Sequence, residues 1–366
     1  MRIAILGTRG IPANYGGFET FAEELATRLV ALGHEVVVYC REQHPEPTYR
    51  GVELRWLPTI RNKYLDTLYH TAVSTLHMAS QFGRKRVDVA LYCNAANALF
   101  TLLPRLTGIP VALNVDGIER KRKKWNRAAK AWYRMSEYLS TLLPNRFVTD
   151  AEAIKTYYRE VYNADSLFIP YGADTVLEPT QSVLGELGLE PHQYFLYVSR
   201  MEPENRPLEV RLAFEDLDCG YRLALIGDAP YAHEYIRKVR DSRDPRVVIP
   251  GGIYGQGYRE LGSWCFAYVH ATEVGGTHPA LIEAMGRGCL VLYLDTVENR
   301  EVCGSAGLPY LDQAGLTARM REALAMSDSE RDVLKASAIR RVKERYDWDA
   351  VTSQYEKLLA DLAGGA

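Results

Sequence analysis

The sequence predicts an α/β protein built from two doubly wound, Rossmann-like domains facing a central cleft. Short apolar runs alternate with stretches of helical periodicity, and the same alternation restarts near residue 194. The chain of 366 residues is long enough for two cores. Buried strands joined through helices make parallel sheets, because each crossover lays a helix on the sheet face. Two such sheets set opposite each other bring their strand C-termini to one cleft, where open α/β sheets bind ligands.

In the first half, strands are expected at Ile3–Leu6, Glu35–Tyr39, Val52–Leu57, Val87–Tyr92, Pro110–Asn114 and Phe147–Val148. Between the first two, Phe18, Phe21, Ala22, Leu25, Leu29 and Leu32 recur at helical spacing, and Gly33 fits a left-handed cap. In the second half the strands are Tyr194–Val198, Arg222–Ile226, Arg246–Ile249, Phe266–Val269 and Leu290–Leu294. Glu178–Gln193, with two prolines and loose periodicity, reads as the linker. A last helix, opening at Asp347-Trp348-Asp349 and running to Leu362, is long enough to pack across a domain boundary. The expected division is therefore 1–176, 177–345 and a C-terminal helix within 346–366.

Composition is 47% apolar and 25% charged with net charge −2, which argues against a chain-wide nucleic-acid role. Six cysteines form no CxxC pair, as expected of buried, reduced thiols in cytosol. The run Ile3–Leu6 is too short for a signal-peptide core, and no apolar stretch reaches membrane-spanning length. A cytoplasmic protein is expected, with no nucleic-acid partner. One segment, Arg120–Arg134, interleaves basic residues with Trp125, Trp132 and Tyr133 on what reads as a single helix. That pattern suits an anionic membrane surface or a lipid-diphosphate acceptor, and a solvated helix face equally well.

The most informative stretch runs from Val269 to Leu292: a strand end, a Gly275-Gly276 turn, Thr277 and His278, a helix opened by Pro279, and a second strand. Bare glycine amides and a helix start attract an anion, while Glu283, one turn deeper, can accept hydrogen bonds from a diol. In the loop Gly7–Phe18, Gly16 and Gly17 can offer backbone N–H groups to an anion, or simply serve a tight turn; the spacing is neither G-x-G-x-x-G nor a P-loop. Arg200 leaves a strand end and can pair with phosphate, unless Glu202 and Glu204 neutralise it. Asp116 ends another strand; it reads as a turn aspartate before Gly117 or as a carboxylate touching the reacting sugar or acceptor. His70 and His77 read as packing residues, and Asp216-Leu-Asp218 lies at the wrong end of its sheet to hold a metal.

Together these pieces resemble the retaining family 4 glycosyltransferases of the GT-B fold. The resemblance rests on Ile169–Asp174, Leu225-Ile-Gly227-Asp228, Leu281–Gly288 and the Trp348 helix, and it covers nearly the whole chain. A narrower match is to the rhamnosyltransferase-like subgroup of bacterial polysaccharide synthesis, carried by Gly7–Ala26, Asn114–Trp125 and Glu273–Met285. This chain departs from the broad family at three points. The first glutamate of the E-x7-E motif falls on Gly275, the phosphate-binding lysine on Asn205 beside Arg206, and a histidine on Asp116.

The resemblance implies transfer of rhamnose or another hexose from a dTDP- or UDP-linked donor to a glycan or polyprenyl-diphosphate-linked hydroxyl, with retention. Arg200, Arg206 and Asp116 would be catalytic. Gly16, Gly17, Asn205, Gly227, Gly275, Gly276, Thr277, His278 and Glu283 would bind the donor. Neither a cofactor nor an obligatory metal is expected, and location is cytoplasmic or peripheral on the inner membrane face. The alternatives are a nucleotide-sugar epimerase and a non-catalytic member that binds a sugar or lipid carrier.

Overall fold

The computed structural model describes residues 1–14, 16–229 and 232–365, so Tyr15 of the first glycine-rich loop lies outside the described residues. The chain divides into two compact units, Met1–Tyr171 with Trp348–Ala366, and Gly172–Asp347.

The first unit holds β1 (Arg2–Leu6), β2 (Glu35–Cys40), β3 (Thr48–Tyr49), β4 (Val52–Trp56), β5 (Val89–Cys93), β6 (Val111–Asn114), β7 (Arg146–Thr149) and β8 (Leu167–Phe168). They form one sheet in the order β3-β4-β2-β1-β5-β6-β7-β8. Ile3 to Leu6 and Val89 to Cys93 are fully buried, as expected for central strands covered on both faces. Among the described residues only the β3–β4 hairpin is antiparallel. The helix Gly17–Ala31 ends as its glycine suggested. Gly33 has φ +90°, its N–H reaches Val30 O at 2.9 Å, and the N–H of His34 reaches Leu29 O at 3.1 Å. The final helix, Trp348–Ala363, belongs to this unit: Trp348 and Tyr355 pack on Phe21, and Asn114 donates to the Tyr355 hydroxyl at 2.8 Å.

The second unit holds β9 (Tyr194–Val198), β10 (Arg222–Ile226), β11 (Val247–Gly251), β12 (Ala267–His270), β13 (Leu290–Leu294) and β14 (Leu308–Tyr310). The order is β11-β10-β9-β12-β13-β14, with every pair parallel. Phe195, Tyr197, Val210, Phe214, Leu225 and Leu292 lie at its core. The order reverses between β9 and β12, which opens a crevice at their C-terminal ends.

Glu178–Gln193 is not a loose linker. It contains the helix Ser182–Leu187, and Glu260 of the helix Gly255–Trp264 accepts from Thr180 Oγ1 at 2.6 Å and Val183 N at 2.9 Å. The two prolines flank this helix rather than mark a flexible span. Strands β3, β8 and β14 were absent from the expectation because two or three residues carry too little periodicity to read.

Candidate active site

The crevice of the second unit is built from loops that leave neighbouring parallel strands. Tyr268 of β12 pairs in register with Leu196 of β9, so the two following loops, 199–206 and 271–278, start side by side. They are tied directly: Glu273 N donates to Glu204 O at 2.9 Å, and Arg206 Nε reaches Glu273 Oε1 at 2.6 Å. On the other side, Ser199 N donates to Ile226 O at 3.1 Å and Met201 N to Asp228 O at 3.3 Å. Gly227 lies at this crossing with φ +147°, and a Cβ there would fall 1.8 Å from the Ser199 carbonyl oxygen. Only glycine fits.

Within this frame Arg200 has a partly exposed side chain whose Nη1 is 3.8 Å from Glu202 Oε2. Asn205 is buried and faces its own loop: its amide donates to Arg200 O at 2.8 Å, while Tyr197 Oη donates to Asn205 O at 2.7 Å. It shapes the turn that carries Arg200. Arg206, expected to supply the missing positive charge, is committed to Glu273. Glu204 does not neutralise Arg200. It is fully buried, and neither carboxylate oxygen has a partner among the described residues.

Pro279 opens the helix Pro279–Gly286 and His278 is its N-cap, so the positive end of the helix faces the loop 271–278. Thr277 is buried. Gly275 is glycine for a reason the sequence hid: a Cβ there would lie 2.3 Å from Cε1 of His278. Gly276 lies between them in the same loop. Glu283, one turn into the helix, is held by two residues the sequence reading missed. Arg287 Nη1 is 3.6 Å from its Oε2 and stacks over the Tyr258 ring at 5.0 Å. The Tyr258 hydroxyl hydrogen-bonds to Glu283, and burial, then the Glu283 charge, pushes that phenol well up, so it stays a donor. The four-residue spacing of Glu283 and Arg287 on one helix was the available signal.

The first unit carries the other candidates. Asp116 has φ +59°, its N–H donates to Asn114 Oδ1 at 3.0 Å, and Tyr171 Oη approaches its carboxylate at 3.3 Å. Burial raises its pKa first and the Glu119 carboxylate second, against the pull of Arg122, the Gly117 amide and Tyr171. Gly16 is extended and caps the first helix, and Gly17 is that helix's first residue. The left-handed glycines of this loop are Gly7 and Gly10, whose Cβ atoms would meet Cys93 O at 2.3 Å and Cys40 Sγ at 2.6 Å. Glu19, in the first turn of this helix, is buried and its Oε1 accepts from Arg9 N at 2.9 Å.

The basic segment is not one helix. Glu119–Lys121 is a single 3₁₀ turn, and the α-helix begins only at Arg127, capped by Asn126. Arg120 pairs with buried Glu137 at 3.1 Å, and buried Arg122 with Glu119 at 2.5 Å, which takes both out of a free basic face. Lys63 and Lys124 lie over the Trp125 ring at 5.9 and 5.1 Å. Among the described residues no group of three or more His, Cys, Asp or Glu side chains could hold a metal ion, and no helix is long and apolar enough to cross a membrane.

Comparisons with known proteins agree with this architecture. The model of Glycosyltransferase Family 4 matches residues 15–177. No curated protein matches the chain. Among solved structures, sucrose-phosphate synthase from Thermosynechococcus elongatus is similar with TM-score 0.79 and 17% identity, covering 100% of each chain. HepE from Anabaena, solved with UDP and glucose, is similar with TM-score 0.80 and 15% identity over 99% of this chain and 100% of that one. WaaG, a glycosyltransferase involved in lipopolysaccharide biosynthesis, gives 0.74 and 15%, covering 100% of each. The fold is GT-B, with two Rossmann-like units.

Proposed function

We propose that this protein is a glycosyltransferase that moves a hexose or deoxyhexose from a nucleoside diphosphate to a hydroxyl acceptor, with retention. The observation that carries this reading is the crevice between β9 and β12, where Arg200, the start of the helix Pro279–Gly286 and an oriented Glu283 share one end of one sheet. Breaking the anomeric bond puts growing negative charge on the diphosphate. Donors held rigid before the reaction stabilise that charge without reorganising. Arg200 and main-chain amides of Gly276–His278 fill that role, and no metal is required. Gly227 and Asn205 keep the surrounding loops in place, and Arg206 acts through Glu273 by locking the two loops together.

Glu283 takes the ribose hydroxyls. A carboxylate is an acceptor only, so it gains most from a ribose that offers two O–H donors. That chemistry favours a UDP-linked donor over the dTDP-linked one, and HepE, of the same fold, was solved with UDP. Asp116 belongs to the acceptor side in the first unit; its raised pKa suits a carboxyl that orients or receives the acceptor proton. The acceptor is a growing lipid-linked glycan, approached through Lys63, Lys124 and Trp125 at an anionic surface. The test is turnover of a donor panel (UDP-glucose, UDP-galactose, dTDP-rhamnose, GDP-mannose) by the purified protein with lipid-linked acceptors. Binding without turnover would instead fit a carrier-binding protein, and conversion of the donor without acceptor an epimerase.

A further inference from the structure

The sequence assigns His278 to the site through its main chain. The structure shows that its ring also has a built position. His278 caps the helix Pro279–Gly286 with extended backbone, and its side chain makes no capping bond to that helix. The ring instead lies across Gly275, where a side chain would otherwise stand: a Cβ on Gly275 would be 2.3 Å from Cε1 and 3.0 Å from both ring nitrogens. The ring also lies against His270, with ring centroids 4.8 Å apart at 53°. His270 in turn lies against Tyr268, two residues earlier on the same face of β12, at 6.2 Å and 26°. Three rings therefore form a column ending at the helix start.

The middle ring of the column is buried. His270 is 3% exposed, and its Nε2 has no hydrogen-bond partner among the described residues. Burial holds its pKa down to about 3, against the side-chain hydrogen bond with Asn299, so it is neutral. The ligand's phosphates already have Arg200 and the backbone amides, and its ribose has Glu283. Imidazole offers one donor and one acceptor on a flat ring, which complements a sugar hydroxyl better than an acceptor-only phosphate oxygen.

We propose that the His278 side chain, seated over Gly275 and backed by His270, contacts the transferred sugar and helps decide which sugar is accepted. This rests on the donor-binding reading above. Its chemistry differs from that of a carboxylate projected from position 275, because the ring both gives and takes a hydrogen bond.

The test separates sugar recognition from nucleotide binding. With native protein and His278→Ala, His278→Gln and Gly275→Ala variants, UDP affinity is measured by calorimetry and kcat over a nucleotide-sugar panel. His278→Ala should leave UDP affinity within about 2-fold, lower kcat by about 10²-fold, as misplacement of a reacting group does, and reorder the sugar preferences. His278→Gln should recover part of the loss. Gly275→Ala should reproduce it, because the new methyl displaces the ring. Native kcat and sugar ranking in His278→Ala would overturn this inference while the glycosyltransferase reading stands. Equal losses in UDP affinity and kcat would overturn it too, since they would confine His278 to anion binding. No turnover by the native protein would refute the glycosyltransferase reading and this inference with it.

Discussion

Replacing Glu283 by alanine should erase a discrimination between UDP and its 2′-deoxy analogue. The Glu283 carboxylate is fixed by Tyr258 and Arg287, and only 13% of its side chain is exposed, so solvent screens it little. A hydrogen bond to a charged group contributes about 1.5–3 kcal/mol. Deleting the 2′-hydroxyl removes one such bond, so the native protein should prefer UDP over dUDP by about 2 kcal/mol, or roughly 30-fold. Glu283→Ala removes the acceptor of both ribose hydroxyls and should weaken UDP by about 10³-fold while binding UDP and dUDP equally well. Glu283→Gln keeps the shape and loses the charge, and should fall between. The assay is calorimetry of both nucleotides against three proteins. Arg287 retains its stack on Tyr258, so melting temperature should fall only modestly. An unchanged UDP-to-dUDP ratio in Glu283→Ala would refute the assignment of this carboxylate to the ribose.

Other consequences follow from single contacts. Gly227→Ala drives a methyl into the Ser199 carbonyl at a left-handed backbone position; it should cost about 3 kcal/mol or more by denaturant unfolding and weaken UDP. Glu204 is buried and neither of its carboxylate oxygens has a partner among the described residues, so Glu204→Gln should raise the melting temperature, and a fall would show a partner that the carboxylate needs. His70 is buried neutral with its pKa lowered from 6.5 to about 4. The unfolded chain binds the proton first as pH falls, so stability present above pH 6.5 should be lost between 6.5 and 4, by about 3 kcal/mol in order of magnitude. His70→Gln should flatten that slope in urea titrations at pH 7, 5.5 and 4. Five of the six cysteines are buried, so a thiol reagent should label Cys219 in the native state and all six in guanidinium.

Most strands were legible because they are central and continuously apolar; β9, β10 and β13 fall at their expected residues. Edge strands β3, β8 and β14 were not, since their pairing depends on neighbours rather than on their own pattern. Around the proposed site, Arg200 follows a strand, Gly276 lies in the loop before a helix and Glu283 one turn into it, which are the local settings the sequence predicts. What could not be read was who holds whom. Arg206 looked like a free cation until Glu273, 67 positions on, was seen to take it. Gly275 and Gly227 looked like ordinary turn glycines, yet each is required by an atom of another residue, the His278 ring and the Ser199 carbonyl. The pairing of the basic segment was hidden for the same reason, because Glu137 and Glu119 take two of its arginines.

The central claim is that a nucleoside diphosphate lodges at the C-terminal ends of β9 and β12. Calorimetric titration of UDP into native protein and Arg200→Ala tests it most directly. Saturable micromolar binding by the native protein, weakened at least about 10-fold in a variant of unchanged melting temperature, is the predicted result. Absence of native binding, or equal affinity in Arg200→Ala, would contradict it.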